Sequence, residues 1–249
     1  MDVTDSVDAG SPQEIPNDTA DSVLHLRDAL QKPLRFQPAS FIIAGYTGRD
    51  QQAVRHHIEE LASLGIPPPP SVPTFYPMPA ALLTTAATMT VASTRTSGEV
   101  EPVIIVDPGG ATYLGIGSDH TDRERERHNV EASKRVCPKP LGAVIAAVDA
   151  AALDDGSLDG LRLESWMNGV PYQRGTFAAI TPLGSLVKAA KARALLDRSP
   201  YVMFCGTIPI VGESFVFGRR FEATIEGQAL ARPLRLAYDV EVRAPGSRR

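Results

Sequence analysis

The sequence predicts a β-rich α+β protein, and three observations carry that expectation. Segments 86–93, 100–107, 112–117, 161–167, 204–211, 221–225 and 234–242 are rich in β-branched and aromatic residues and are separated by turn-forming clusters. Helical spacing is confined to a stretch after Asp50, one after Asp122, a short one over 143–151 and one over 183–196. Asn168-Gly169, between Trp166 and Pro171, is a hairpin turn signal.

In chain order, residues 1–21 are rich in Asp, Ser and Pro and poor in apolar side chains, which predicts a mobile acidic tail. Segment 41–46 reads as a buried strand ending in a Thr47-Gly48 turn. Asp50 can cap a helix running to Leu64, with Val54, Ile58, Leu61 and Leu64 at helical spacing. Gly65 stops it, and Pro67, Pro68, Pro69 and Pro70 form a stiff connector. The expected organisation is a small N-terminal α/β part over 22–73, a larger β-rich domain over 74–243 and a basic tail over 244–249.

Composition sets outer bounds. At 249 residues, 43% apolar and 22% charged, the chain is an ordinary globular protein. A net charge of −4 argues against a nucleic-acid footprint. The acidic start lacks a signal peptide's basic-then-apolar order, and no apolar run reaches membrane-spanning length. The expectation is therefore a cytoplasmic protein with no nucleic-acid or membrane partner. Cys137 and Cys205 are too few for a disulfide framework and read as small buried residues.

Glu99 and Glu101 stand two apart in a β-favouring stretch, Gly98-Glu99-Val100-Glu101-Pro102-Val103-Ile104-Ile105-Val106. On a strand they share one face at about 7 Å, and two such carboxylates repel unless a cation lies between them. A hard divalent ion suits them, with Asp119 as the third oxygen ligand. The plain alternative is an edge strand with two solvated glutamates, and for Asp119 a turn or cap. Lys134 could offset excess negative charge or meet an anionic substrate, or it is a surface lysine. His57 and Glu60, at i and i+3 on one helix, form a possible imidazole–carboxylate base, with His56 and Glu59 as the other register; a polar surface stripe accounts equally for these residues. Gly206 lets backbone approach a ligand, and Thr207 can bind a carboxylate, unless the pair is a bulge in a strand.

These segments, in their order, resemble the fumarylacetoacetate hydrolase superfamily. Gly98-Glu99-Val100-Glu101 resembles its Tyr-Glu-Val-Glu strand. Gly117-Ser118-Asp119-His120-Thr121-Asp122-Arg123-Glu124 is similar to its Gly-Asn-Asp-Val-Thr-Ala-Arg-Asp. Ser133-Lys134 followed by Pro138 and Pro140-Leu141-Gly142 resembles its Gly-Lys-Ser-Phe-Asp and Pro-Leu-Gly-Pro. Cys205-Gly206-Thr207-Ile208-Pro209-Ile210-Val211-Gly212 is similar to its Thr-Gly-Thr-Pro-x-Gly-Val-Gly, and Phe221-Glu222-Ala223-Thr224-Ile225-Glu226-Gly227 to its Val-Glu-Val-Glu-Ile-Glu-Gly. One departure is clear. The family's Lys-Pro-Pro-Ser-Ala corresponds to Pro77-Met78-Pro79-Ala80-Ala81, so a lysine is replaced by Pro77.

The resemblance implies a mixed β-sandwich roll of the superfamily's C-terminal-domain type, with a lid helix in the N-terminal part. It implies Mg²⁺ or Mn²⁺ held by Glu99, Glu101 and Asp119, Lys134 in catalysis, and a base formed by His57 with Glu60. It places Gly206, Thr207 and Arg123 on the substrate. The implied reaction is hydrolytic C–C cleavage of an acylpyruvate or other 1,3-dicarbonyl acid through a metal-stabilised enolate, in a homodimer. A 2-oxo acid decarboxylase, hydratase or isomerase is the alternative on the same fold. A small-molecule binding protein that has lost turnover is the alternative outside enzymes, and the loss at Pro77 favours it.

Overall fold

The computed structural model describes residues 23–63, 68–212 and 214–243, except for the side chains of His57 and Leu61. The tails expected over 1–21 and 244–249, and the helix stop at Gly65, lie outside the described residues.

The strands are β1 (Leu24–Arg27), β2 (Pro33–Phe36), β3 (Ser40–Gly45), β4 (Thr74–Pro77), β5 (Leu83–Thr84), β6 (Thr88–Val91), β7 (Thr96–Ser97), β8 (Val100–Val106), β9 (Thr112–Ser118), β10 (Thr121–Asp122), β11 (Lys139–Pro140), β12 (Ala146–Ala147), β13 (Arg162–Met167), β14 (Val170–Thr176), β15 (Tyr201–Phe204), β16 (Arg220–Glu226) and β17 (Leu234–Val242). The helices are α1 (Gln51–Ser63), α2 (Arg123–Glu126), α3 (Val130–Arg135) and α4 (Leu183–Lys191).

Two larger sheets form the body. One runs β12-β9-β8-β15-β3-β4 and the other β14-β13-β16-β17-β6. The first is antiparallel except where β15 meets β3, and the second except where β17 meets β6. This is the β-rich, mixed architecture that the sequence predicts.

β8 explains why the first sheet is covered on both faces. Val103 and Ile105 join a core with Leu24, Leu26, Phe36, Ile43 and Phe204, while Ile104 and Val106 join another with Leu114, Leu163, Ile225 and Tyr238. A strand buried on both faces has an uninterrupted apolar run rather than alternation. β17 alternates instead, with Leu234, Leu236, Tyr238 and Val240 buried and the residues between them exposed. β3 lies between β15 and β4, so the strand expected in the N-terminal part belongs to the sheet that carries Glu101.

Two local expectations differ from the structure, and a third is met. The Ala-rich segment 143–151 holds β12 and the first residue of a 3₁₀ turn over Ala151–Leu153, not a longer helix. Ala146 and Ala147 pair with Leu114 and Tyr113, and Ile145 N–H donates to Arg27 O at 2.9 Å. These tertiary partners override alanine's helical preference. The strand expected over 204–211 is instead Tyr201–Phe204. Gly206, at φ 92°, breaks the extended path. The hairpin signal at Asn168-Gly169 is a real turn, with φ of 50° and 78°, but its second strand β14 has no clean alternation of its own. Pro171 fits there because β14 is an edge.

Candidate active site

The hairpin of β8 and β9 assembles the acidic residues. Its register pairs Val100 with Ser118 and Glu101 with Gly117. One step further, Asp119 N–H donates to Glu99 O at 3.0 Å, which sets Asp119 opposite Glu99. Gly98 permits the close fit beneath: a Cβ there would lie 2.4 Å from Tyr238 Oη and 2.5 Å from Ser118 Oγ.

Glu101 is buried, and Gly206 N–H donates to its Oε2 at 2.8 Å. Burial pushes its carboxyl well above the usual range, and the charges of Asp119 and Glu99 push the same way. Gly206 makes this contact because it has no side chain. A Cβ on it would sit 1.8 Å from Thr47 Oγ1.

Asp119 is buried between two lysines. Lys134 Nζ donates to Oδ2, and Lys139 Nζ lies 2.9 Å from Oδ1. Burial alone would raise the Asp119 carboxyl; the two ammoniums outweigh burial and hold it well below the ordinary range. Burial pulls Lys134 down, but Asp119, Glu126 and Glu99 together raise it. For Lys139, burial and the like charge of Lys134 pull down against Asp119. The short contact with a carboxylate held this low makes Lys139–Asp119 a charged pair. Lys139 also donates to His120 O.

Arg123 is committed to the protein. Its Nε donates to Ser97 Oγ at 2.7 Å and its Nη1 to Glu126 Oε2 at 2.8 Å. Nη2 lies 3.1 Å from Glu99 Oε2, near enough for an ion pair but off-line for a hydrogen bond. Phe215 stacks over the guanidinium at 4.0 Å. Glu99 thus has its own cation.

Thr207 is equally engaged. Its hydroxyl donates to Val100 O at 2.9 Å and accepts from Gln173 Nε2 at 2.7 Å. The hydroxyl proton is spent there.

α1 begins as expected, with Asp50 Oδ1 accepting from Gln52 N–H and Ala53 N–H. On it, His56 Nε2 lies 3.3 Å from Glu60 Oε1, and both side chains are exposed. The His57 side chain lies outside the described residues. Among the described residues, no ion pair or hydrogen bond joins His56, Glu59 or Glu60 to the acidic cluster.

The structure therefore brings together Glu99, Glu101, Asp119, Arg123, Lys134, Gly206 and Thr207, and adds residues that sequence reasoning missed. Glu126 reads as a surface charge in an Arg–Glu repeat, yet it pairs with Arg123. Lys139 is fully buried; the signal was a lone lysine between two prolines in an otherwise apolar run. Gln173 gave no signal, because nothing in sequence shows that its four hydrogen bonds cross the molecule. Tyr76 lines the cluster too, with Lys134 Nζ 5.7 Å from its ring centre and its phenol pushed up to about 12 by burial.

The donors are chemically suited to a hard divalent ion: carboxylate oxygens, one of them on a buried Glu101 that accepts from the Gly206 N–H. The arrangement does not close around one. Among the described residues, no three His, Cys, Asp or Glu side chains converge enough to hold a metal. Arg123 on Glu99 and two lysines on Asp119 account for this. Also among the described residues, no helix is long and apolar enough to cross a membrane.

Comparisons with known proteins agree with this architecture. A solved structure titled fumarylpyruvate hydrolase from Pseudomonas aeruginosa in complex with Mn²⁺ and pyruvate superposes with a TM-score of 0.59 at 16% identity, over 90% of this chain and 97% of that one. A 5-carboxymethyl-2-hydroxymuconate delta-isomerase from Mycobacterium smegmatis gives 0.60 at 17%, over 86% and 87%. A 2-keto-3-deoxyarabinonate dehydratase gives 0.57 at 15%, over 83% and 75%. The fold is that of solved structures titled as fumarylacetoacetate hydrolase proteins, and the three neighbours above are titled a hydrolase, an isomerase and a dehydratase. No curated protein matches the chain. A family model described as a protein of unknown function, DUF2848, matches residues 44–238, and the chain belongs to that family, a divergent branch on the fumarylacetoacetate hydrolase fold.

Proposed function

We propose that the protein is a divalent-metal-dependent hydrolase that cleaves a C–C bond in an acylpyruvate or related 1,3-dicarbonyl acid. The observation that carries this reading is Glu101: a buried carboxylate flanked by two others, with one backbone N–H as its hydrogen-bond donor. Such a group favours a cation beside it. Mg²⁺ or Mn²⁺ held by Glu101, with Asp119 and Glu99, would polarise a 2-oxo group and stabilise the enolate left by bond cleavage.

The chain's own residues have distinct tasks in this reading. Lys134 holds Asp119 and supplies positive charge where an acid enters. The backbone N–H of Thr207, beside Gly206, binds the carboxylate end. Arg123 acts behind the site by fixing Glu99 and Glu126, rather than on the substrate. In this reading the base that takes the proton from the attacking water comes from α1, where the sequence offers His57 with Glu60. Manganese and pyruvate together in the fold neighbour support a 2-oxo acid as the ligand class.

The isomerase and the dehydratase on the same fold favour a second reading, in which a 2-oxo acid is isomerised or hydrated with no cleavage. Product analysis with Mn²⁺ separates the two: paired carboxylic fragments mean hydrolysis, and one product of unchanged or water-shifted mass means the alternative. Glu101→Ala should abolish Mn²⁺ binding and turnover together. Unchanged metal binding and acylpyruvate turnover in that variant would overturn the reading. A protein that neither turns over such acids nor is stabilised by Mg²⁺ or Mn²⁺ is the binding protein instead.

A further inference from the structure

We propose that Lys139 is an internal counter-ion that restrains divalent-ion uptake at Asp119, so that the ion is held firmly only together with an anionic chelating acid. The inference rests on the metal reading above and explains why the carboxylates do not converge.

The geometry begins with Asp119. Each of its oxygens meets an ammonium, Lys134 on Oδ2 and Lys139 on Oδ1 at 2.9 Å. A carboxylate has about four lone-pair directions, so sharing with an ion is possible in principle. The two ammoniums would then repel that ion at close range in a region with little water.

Lys139 has little freedom to withdraw. It is fully buried, its Nζ also donates to His120 O, and its backbone runs in β11 between Pro138 and Pro140, paired with β5. A surface lysine could swing into water, but this one lacks the room. Lys134 also lies within reach of the Tyr76 ring, while Lys139 is turned wholly inward.

The charges in the cluster give the second half of the argument. Glu99, Asp119 and Glu126 match Arg123, Lys134 and Lys139 in number. A doubly charged ion alone would therefore add an excess of positive charge beside two ammoniums. An anionic 2-oxo acid arriving with the ion reduces that excess. Ion and acid should therefore raise each other's affinity, by the same factor in both directions.

The test is calorimetric titration of the full chain with Mn²⁺, with and without oxalate, corrected for Mn²⁺–oxalate association in solution. In the wild type, oxalate should raise Mn²⁺ affinity by about tenfold or more. Lys139→Met should bind Mn²⁺ alone about tenfold more tightly than the wild type and respond less to oxalate. Lys139→Gln, which retains a donor for His120 O, should change in the same direction. Variants that bind Mn²⁺ no more tightly than a wild type that does bind it overturn the role of Lys139 and leave the metal reading standing. Absence of Mn²⁺ binding in all three proteins, with or without oxalate, overturns both. If circular dichroism shows both variants unfolded, the wild type decides: no gain from oxalate overturns the proposal, and a tenfold gain supports it.

Discussion

Gly206 N–H donates to Glu101 Oε2 at 2.8 Å, joining the turn after β15 to a residue 105 positions earlier in the chain. The contact depends on glycine twice. Its φ is 92°, and a Cβ would lie 1.8 Å from Thr47 Oγ1. Gly206→Ala should destabilise the fold by at least the left-handed penalty of about 1–2 kcal/mol, read by urea denaturation. It should also release Glu101, so that Mn²⁺ affinity falls in parallel. A variant of wild-type stability and wild-type Mn²⁺ affinity would show that the contact positions nothing.

Gln173 is the second link between these elements. Its Oε1 accepts from Val100 N–H at 2.9 Å and Ser165 Oγ at 3.0 Å. Its Nε2 donates to Thr207 Oγ1 at 2.7 Å and Ile208 O at 2.8 Å. Every hydrogen-bonding direction of the amide group is thus used, across β8, β13 and the 205–208 turn. Gln173→Met preserves volume but orphans buried backbone groups, each worth about 1–3 kcal/mol. The expected loss is about 2 kcal/mol or more in a urea melt. If the amide also sets the spacing between Glu101 and Thr207, the Michaelis constant for the acid should rise more than turnover falls.

Burial makes both thiols inert. It pushes Cys137 up to about 11 and raises Cys205 further, in the latter case with help from the Glu101 charge. Native protein should therefore resist thiol reagents at neutral pH and react at both cysteines once unfolded. Rapid labelling of native Cys205 would contradict its burial.

How far the sequence was legible follows from the range of each interaction. β8 and β9 were readable because their β-favouring runs lie within a short span, and their pairing is what sets Asp119 opposite Glu99. Asp50 as a helix cap was readable for the same reason. The 143–151 segment was not, because Ala146 pairs with Leu114 and Ile145 with Arg27 across the fold, and no local pattern encodes either partner. The cations on the carboxylates were half legible. Lys134 stood out through its neighbours, whereas Lys139 acts through burial, which a single lysine's identity does not reveal.

Arg49 and Asp159 supply a pH-dependent tie close to α1. Arg49 Nη1 and Nη2 donate to the two Asp159 oxygens at 2.6 and 2.7 Å, and its Nε donates to Ile180 O at 2.9 Å. The hydrogen bond from Arg49 holds the Asp159 carboxyl below its ordinary value. A lowered carboxylate stabilises the fold above its unfolded pKa, about 3.9, and loses that contribution as pH falls through the lower folded value. Both side chains are about one-third exposed, so screening limits the pair to about 0.5–1 kcal/mol, less at high salt. Asp159→Asn should therefore destabilise the protein modestly at pH 7, and the difference should vanish in acid, once pH has fallen through the lowered folded value. Arg49 immediately precedes the Asp50 cap, so the same variant should speed amide exchange in the first turn of α1 at pH 7. An Asp159→Asn difference that persists unchanged in acid would mean that packing around residue 159, and not its charge, supplies the tie.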